Sequence, residues 1–329
     1  MIKSLVTGGA GFIGSNLVDQ LVKKKHKVIV LDNFSTGKRS NLAHQRKKNV
    51  KIIKVDISNN KNIDKYFKGV NYVFHLAGIA DMMPSIKNPE IYFKSNVVGT
   101  FNVIQAAKKA NIKKFIYAAS ASCYGTPEKF PIKENAKINL MYPYAFTKWQ
   151  AEELIMHWAK IYNFPAISFR FFNAYGPRSK SSGAYGAVFG VFLAQKLADK
   201  PLTIIGNGNQ TRDFIHVDDL ARGIIKAAAS KKVGKIYNIG SGKEIKVNKI
   251  AKLISDKKIH IPKRPGEAIR SLADISKIKK DLNWRPKIKI EEGVKSLLKK
   301  IHYWKDAPVW TPKSIRKETK TWFKLLEEK

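Results

Sequence analysis

The stretch from Ile2 to Asp32 limits the possible folds of this chain more than any other. Ile2, Leu5 and Val6 form a short apolar run, followed by Thr7-Gly8-Gly9-Ala10-Gly11-Phe12-Ile13-Gly14. Leu17, Val18, Leu21 and Val22 then recur at the spacing of one helix face, and a second apolar run, Val28 to Leu31, ends at Asp32. Strand, glycine turn, helix, strand and acid, in that order, make a dinucleotide-binding βαβ unit. Each part has a chemical reason. Gly8 lets the chain turn sharply off the first strand, Gly11 keeps side-chain atoms clear of a pyrophosphate, and Gly14 lets the helix pack close to the sheet. The helix N-terminus, at Phe12 and Ile13, offers free N–H groups and a positive dipole end to phosphates. Asp32, 18 residues after Gly14, is placed to accept both ribose hydroxyls of the adenosine half. Its charge repels a 2′-phosphate, so the expected cofactor is NAD rather than NADP.

At 329 residues and 44% hydrophobic, the chain can bury a core large enough for one or two domains. No apolar run approaches the ~20 residues of a transmembrane helix, and the first strand begins too early to leave room for a signal peptide. The expected location is cytoplasmic, with no membrane partner. Cys123 is the single cysteine, so no internal disulfide forms and no metal site is expected. The formal net charge of +37 raises the question of a nucleic-acid-binding face. Only ten of the 62 basic residues are arginine, and the lysines are scattered over nearly every helix and loop with no aromatic-interleaved stripe. That distribution reads as solvated surface arising from lysine-rich codon usage, with no nucleic-acid partner.

Further along, Val50 to Val55 is a third strand ending at Asp56-Ile57. Asn71 to Leu76 is a fourth, running into Ala77-Gly78, where small residues let a cofactor lie across the sheet edge. His75, at the end of that strand, reads as a packed, hydrogen-bonded histidine. Pro89 to Ala110 has the pattern of a long amphipathic helix, and Asn96-x-x-Gly99 within it predicts a tight polar contact, because a mid-helix glycine is otherwise unfavourable. Lys114 to Ala118 is a fifth strand, a helix spans about Tyr142 to Tyr162, and Ala166 to Phe172 is a sixth strand. Six strands alternating with helices predict an α/β fold with a doubly wound parallel sheet.

After Arg178 the pattern changes to a polar loop, Ser179 to Gly186, then a helix, Val188 to Leu197, and a strand, Leu202 to Ile205. Helix Asp219 to Ala229 and strand Ile236 to Ile239 return to the first domain. The expected division is a dinucleotide-binding domain, residues 1–173 plus about 214–240, and a smaller α/β substrate-binding domain, about 174–213 plus 241–329. The tail Pro312 to Leu326 reads as an amphipathic helix with Ile315, Trp322, Phe323, Leu325 and Leu326 on its buried side.

Ser120, Tyr144 and Lys148 carry the strongest chemical signal. In Tyr144-Ala145-Phe146-Thr147-Lys148 the phenol and the ammonium share one helix face, one turn apart. A phenol with a pKa of about 10 is a poor base at neutral pH. A neighbouring lysine and a cationic nicotinamide both favour the phenolate. Ser120, at the adjacent strand end, is placed to relay the proton of a substrate hydroxyl.

With these residues together, the chain resembles the extended short-chain dehydrogenases of the nucleotide-sugar epimerase/dehydratase group. The likeness rests on Thr7 to Gly14, Asp32, Asp56-Ile57, Leu76-Ala77, Asn96-x-x-Gly99-Thr100, Ser120 to Gly125, Tyr144 to Lys148, Phe172 to Arg178, Arg212-Asp213-Phe214 and Arg264 to Asp274. It departs in having Ala118-Ala119-Ser120 where the family often has three serines. The resemblance implies NAD contacts from Gly8, Gly11, Phe12, Ile13, Gly14, Asp32, Asn33, Asp56, Ile57, Leu76, Ala77, Asn96, Tyr144 and Lys148. It implies a UDP-sugar substrate contacted by Ser120, Ser122, Tyr144, Asn173, Val188, Arg212, Arg264 and Ser271, with both arginines paired to the diphosphate. Arg264 also reads as a turn residue beside Pro265, and Asn173 as a strand-end cap. A homodimer through helices Pro89–Ala110 and Tyr142–Tyr162 is implied as well.

Family members that dehydrate carry an Asp-Glu pair after the fifth strand, and those that decarboxylate carry a glutamate there. Here Ala121 and Ser122 stand in those places, with no carboxylate. The implied reaction is therefore 4-epimerisation: Tyr144 takes the C4 hydroxyl proton while C4 gives hydride to NAD+, the 4-keto sugar turns, and hydride returns to its other face. Ser271 is small where epimerases restricted to plain hexoses have a tyrosine, which leaves room for a C2 acetamido group. The expected pair is UDP-N-acetylglucosamine and UDP-N-acetylgalactosamine, with UDP-glucose and UDP-galactose also open. Alternatives are a UDP-uronic acid 4-epimerase, a dehydratase or decarboxylase, and a non-enzymatic NAD-sensing or nucleic-acid-binding module. The intact Ser-Tyr-Lys set speaks against the last.

Overall fold

A computed structural model describes residues 1–59, 62–179, 188–263 and 268–327. Its centre is a seven-stranded parallel sheet. Six strands are β1 (Lys3–Thr7), β2 (Lys27–Asp32), β3 (Val50–Lys54), β4 (Tyr72–His75), β5 (Lys114–Ser120) and β6 (Ala166–Phe171). The seventh is Lys235–Ile239, and the order across the sheet is Lys235–Ile239, β6, β5, β4, β1, β2, β3. The doubly wound α/β fold expected from the strand–helix alternation is therefore present, and the late strand pairs beside β6.

Both faces of the sheet are buried, which is why its strands are nearly continuous apolar runs. Alternate residues feed opposite cores: Val6, Val30 and Ile116 pack with Leu17 and Leu21 of helix α1 (Phe12–Lys23) and with Leu220 and Ile224. Leu5, Leu31, Val73 and Phe115 pack on the other side with Val103, Ala151 and Ile155. A third core gathers Tyr175, Phe189, Phe192, Leu202, Phe214, Ile250, Leu297 and Trp304 around two short parallel strand pairs, Asn173–Tyr175 with Phe214–His216 and Leu202–Ile205 with Lys258–Ile261.

Several details differ from the sequence reading. Pro89 to Ala110 is not one uniform helix: a π-helical turn, Lys94–Val98, separates Pro89–Phe93 from Gly99–Lys109. Residues 273–284, expected in the smaller unit, pack on the main sheet instead. Ala273, Ile275, Ile278, Leu282 and Trp284 join the first core, and Trp284 Nε1 donates to Asp219 O at 3.1 Å. The tail helix forms over Pro312–Glu327 with Ile315 buried. The side chains of Trp322, Leu325 and Leu326, residues 180–187, and Arg264 lie outside the described residues. Among those described, no helix is long and apolar enough to cross a membrane.

The strand order reverses between β1 and β4, which opens a crevice at their carboxyl ends.

Candidate active site

A cavity of about 960 Å³ fills that crevice. Its cofactor end is built from the first βαβ turn. Gly8, with φ +67°, stands so close to the end of β4 that a Cβ there would lie 2.7 Å from Ala77 N. A Cβ on Gly14 would overlap the Gly8 carbonyl and stand 2.8 Å from Gly9 Cα, so the helix approaches the turn only because this residue has no side chain. The first helical bond runs from Ser15 N–H to Gly11 O at 3.0 Å. The N–H groups of Phe12, Ile13 and Gly14 thus have no partner inside the helix, Gly11 offers no side-chain cap, and all four residues line the cavity. A pyrophosphate fits there.

Asp32 is buried. One of its carboxylate oxygens accepts from Ala10 N–H and the other from Phe34 N–H, both at 2.8 Å. Each oxygen retains a lone pair for a ribose hydroxyl on the cavity side. Asp56 accepts from Ser58 N–H (2.8 Å), Ser58 Oγ (2.6 Å) and Asn33 Nδ2 (3.1 Å). Against the penalty of burial, these bonds hold its carboxyl below the ordinary value. Ile57, Leu76 and Ala77 complete this wall. The set fits NAD.

Asn96 stands just behind this wall. Its amide bonds to protein: Oδ1 accepts from Ile79 N–H (2.8 Å), and Nδ2 donates to Ile79 O (3.1 Å) and Thr147 Oγ1 (3.0 Å). It does not line the cavity; it ties the loop after β4 to the helix Pro143–Ile161. The tight contact expected at Gly99 is apolar rather than polar: a Cβ there would meet the Ile57 side chain at 3.1 Å.

Tyr144 and Lys148 lie on that helix and Ser120 ends β5. The Tyr144 phenol hydrogen-bonds Ser120, whose Oγ also accepts from Ser122 N–H at 3.2 Å. Burial raises the Tyr144 pKa, and the Ser120 bond opposes the rise. Within the protein alone, the phenol is therefore a weaker acid than the sequence reading expected. Lys148 Nζ stands 4.3 Å from the centre of the Tyr117 ring. Burial brings its pKa down to about 7, with Glu152, one turn on, pulling it back up. His75 is a packed residue as expected, bonded to Thr7 Oγ1 and Thr100 Oγ1 at 2.7 Å each, and burial lowers its pKa to about 3.

Ser122, Asn173, Val188, Arg212 and Ser271 line the same cavity. Sequence reasoning missed Tyr142, which stacks on Tyr144 at 6.4 Å, and Arg270, whose guanidinium pairs with Glu244 at 2.8 Å and covers Phe130. It also missed the buried pair of Arg170 on β6 with Glu152 on the Lys148 helix, bonded at 2.6 and 2.9 Å. No local spacing joins Arg170 to Glu152, because it is the packing of the helix Pro143–Ile161 against β6 that brings them together.

Residues 4–240 match the NAD dependent epimerase/dehydratase family. The chain belongs to that family. A UDP-glucose 4-epimerase from Mycolicibacterium smegmatis is 31% identical over 307 residues, covering 89% of this chain and 96% of the relative. The solved UDP-N-acetylglucosamine 4-epimerase from Methanobrevibacter ruminantium M1, in complex with UDP-N-acetylmuramic acid, superposes with a TM-score of 0.87 at 34% identity, covering 91% of this chain and 97% of that one. UDP-glucuronic acid 4-epimerase from Bacillus cereus, in complex with UDP-glucuronic acid and NAD, gives a TM-score of 0.85 at 32% identity, with 92% and 99% covered. This member of the epimerase/dehydratase family is thus an NAD-dependent enzyme, and the three relatives just described bear the names of UDP-sugar 4-epimerases for three different sugars.

Proposed function

We propose that this enzyme interconverts UDP-N-acetylglucosamine and UDP-N-acetylgalactosamine, with the plain UDP-hexoses as secondary substrates. The observation that carries the reading is Ser271, a small side chain on the cavity wall where a tyrosine ring would fill the space of a C2 acetamido group. Space alone permits a larger sugar and does not select it strongly, since one missing contact is worth about 1–3 kcal/mol. Ala121 and Ser122, which also line the cavity, support epimerisation over dehydration or decarboxylation, because no carboxylate stands at those places.

NAD, held by the Gly8–Gly14 turn and Asp32, would supply the hydride acceptor and donor that a change of configuration at the sugar C4 needs. Tyr144 removes and restores the C4 hydroxyl proton, and Ser120, bonded to the same phenol, orients that hydroxyl. Lys148, one turn along the same helix, would hold the nicotinamide ribose. Arg212 and Arg264 pair with the diphosphate, and Asn173 and Val188 contact the nucleotide sugar. We read the third core as the centre of the substrate-binding unit. We read the exposed Ile91, Phe93, Phe101, Phe146 and Ile161 as the face of a homodimer.

The test is a panel of UDP-sugars offered to purified protein, with the C4 epimers resolved. Wild type should turn over the N-acetylated pair at least as well as the plain pair. Ser271→Tyr should abolish the first activity and spare the second. A wild type confined to plain hexoses or to uronates would overturn the substrate assignment.

A further inference from the structure

The wall that carries Ser271 is held from outside the cavity by one buried carboxylate. Asp213, next to Arg212, is fully buried. Its Oδ1 accepts from the Ser241 hydroxyl (2.7 Å) and the Ser241 N–H (2.5 Å). Its Oδ2 accepts from Gly242 N–H and Ala273 N–H, both at 3.0 Å. Its backbone carbonyl accepts from Asn173 N–H at 3.1 Å. Gly240 makes room for the group, since a Cβ there would lie 2.7 Å from Oδ2. Three stretches of chain far apart in sequence therefore meet on this residue.

The rest of the wall is gripped along both edges. Thr211 N–H donates to Ile269 O at 3.0 Å, and Glu244 accepts from both the Thr211 hydroxyl (2.7 Å) and Arg270 Nε (2.9 Å). On the opposite edge, Ile132 N–H donates to Leu272 O and Asp274 N–H donates to Ile132 O, each at 2.8 Å. Within this frame, the Asp213 side chain bonds both the wall, at Ala273, and the 241–242 turn, from the residue next to Arg212. Its four bonds come from three N–H groups and one hydroxyl, a demand that a carboxylate meets and an amide does not. An asparagine would turn its NH2 group towards at least one backbone donor, leaving a buried N–H without an acceptor.

We propose that Asp213 is the positioning residue that sets where the Ser271 wall stands against the sugar, and so sets the preference between C2-acetamido and plain hexoses. The inference rests on the proposed role of Ser271. Asp213→Asn in the full chain tests it by two readouts. Deuterium exchange of peptides spanning residues 268–276 should accelerate at least ten-fold. The ratio of kcat/KM for UDP-N-acetylglucosamine to that for UDP-glucose should change at least five-fold, mainly through KM. A merely structural defect would depress both sugars alike and leave the ratio in place. Unchanged exchange, or faster exchange with an unchanged ratio, overturns the proposal. If the asparagine variant does not fold, Ser241→Ala removes one bond to Oδ1 and should move the ratio in the same sense; no movement overturns the proposal equally. Failure of the Ser271 reading is seen separately, as a Ser271→Tyr ratio equal to wild type, whereas the exchange measurement judges the Asp213 bonds alone.

Discussion

Gly14→Ala and Gly11→Ala separate the two roles packed into one glycine turn. At Gly14 an added Cβ overlaps the Gly8 carbonyl oxygen and comes within 2.8 Å of Gly9 Cα, so the obstacles are backbone atoms that cannot rotate away. The turn or the helix must shift by several tenths of an ångström. Overpacking of this kind costs about 1–3 kcal/mol where side chains can yield, and the upper end applies to backbone. Alanine regains at most about 1 kcal/mol of helix propensity. The net expectation is a loss of ~2 kcal/mol. For 329 residues, an unfolding entropy of roughly 2 cal/mol/K per residue converts this to a fall in Tm of about 3 °C. At Gly11 the nearest protein atom to a Cβ is Gly8 O at 3.3 Å, an adjustment of a few tenths, and the methyl faces the cavity. This variant should melt within about 1 °C of wild type yet lose NAD, because the methyl occupies the pyrophosphate's approach. Both melts are read on cofactor-stripped protein, since bound NAD would itself raise Tm. NAD content is read on protein as purified. A Gly14→Ala melt at or above wild type refutes the close-packing argument, and full NAD retention by Gly11→Ala refutes the assignment of the phosphate site.

Tyr144→Phe should lower kcat by on the order of 10²-fold or more while UDP binding and NAD content stay near wild type; turnover within a few-fold of wild type would move the base elsewhere. Lys148 has a folded pKa of about 7 against an ordinary 10.5, so its burden on stability is full below pH 7 and fades as pH rises towards 10.5. Lys148→Met should therefore raise the urea midpoint most at pH 6 and least at pH 10, and a gain independent of pH would contradict the burial account. Phe93→Glu, on the exposed apolar row, should halve the mass seen by sedimentation velocity; an unchanged mass removes that face as the dimer interface.

The parts of this protein legible in its sequence are those whose physics is local. The Gly8–Gly14 turn and Asp32 announce the cofactor end because backbone freedom, helix-terminal N–H groups and one carboxylate all fall within a single βαβ unit. Tyr144 and Lys148 are readable together because helical periodicity alone puts them on one face. Periodicity could not show that Asn96 spends its amide on Ile79 and Thr147, because that depends on how two elements dock. Nor could it show that Ala273 to Trp284 return to the main sheet, or that burial lifts the Tyr144 phenol rather than easing its ionisation. The Asp213 junction is the plainest case. Asn173, Asp213, Ser241 and Ala273 are separated by tens of residues, and only the tertiary fold brings their donors and acceptors within 3.1 Å. Spacing along a chain reports what one element does by itself; a buried polar contact between elements exists only once the entropy of bringing them together has been overcome.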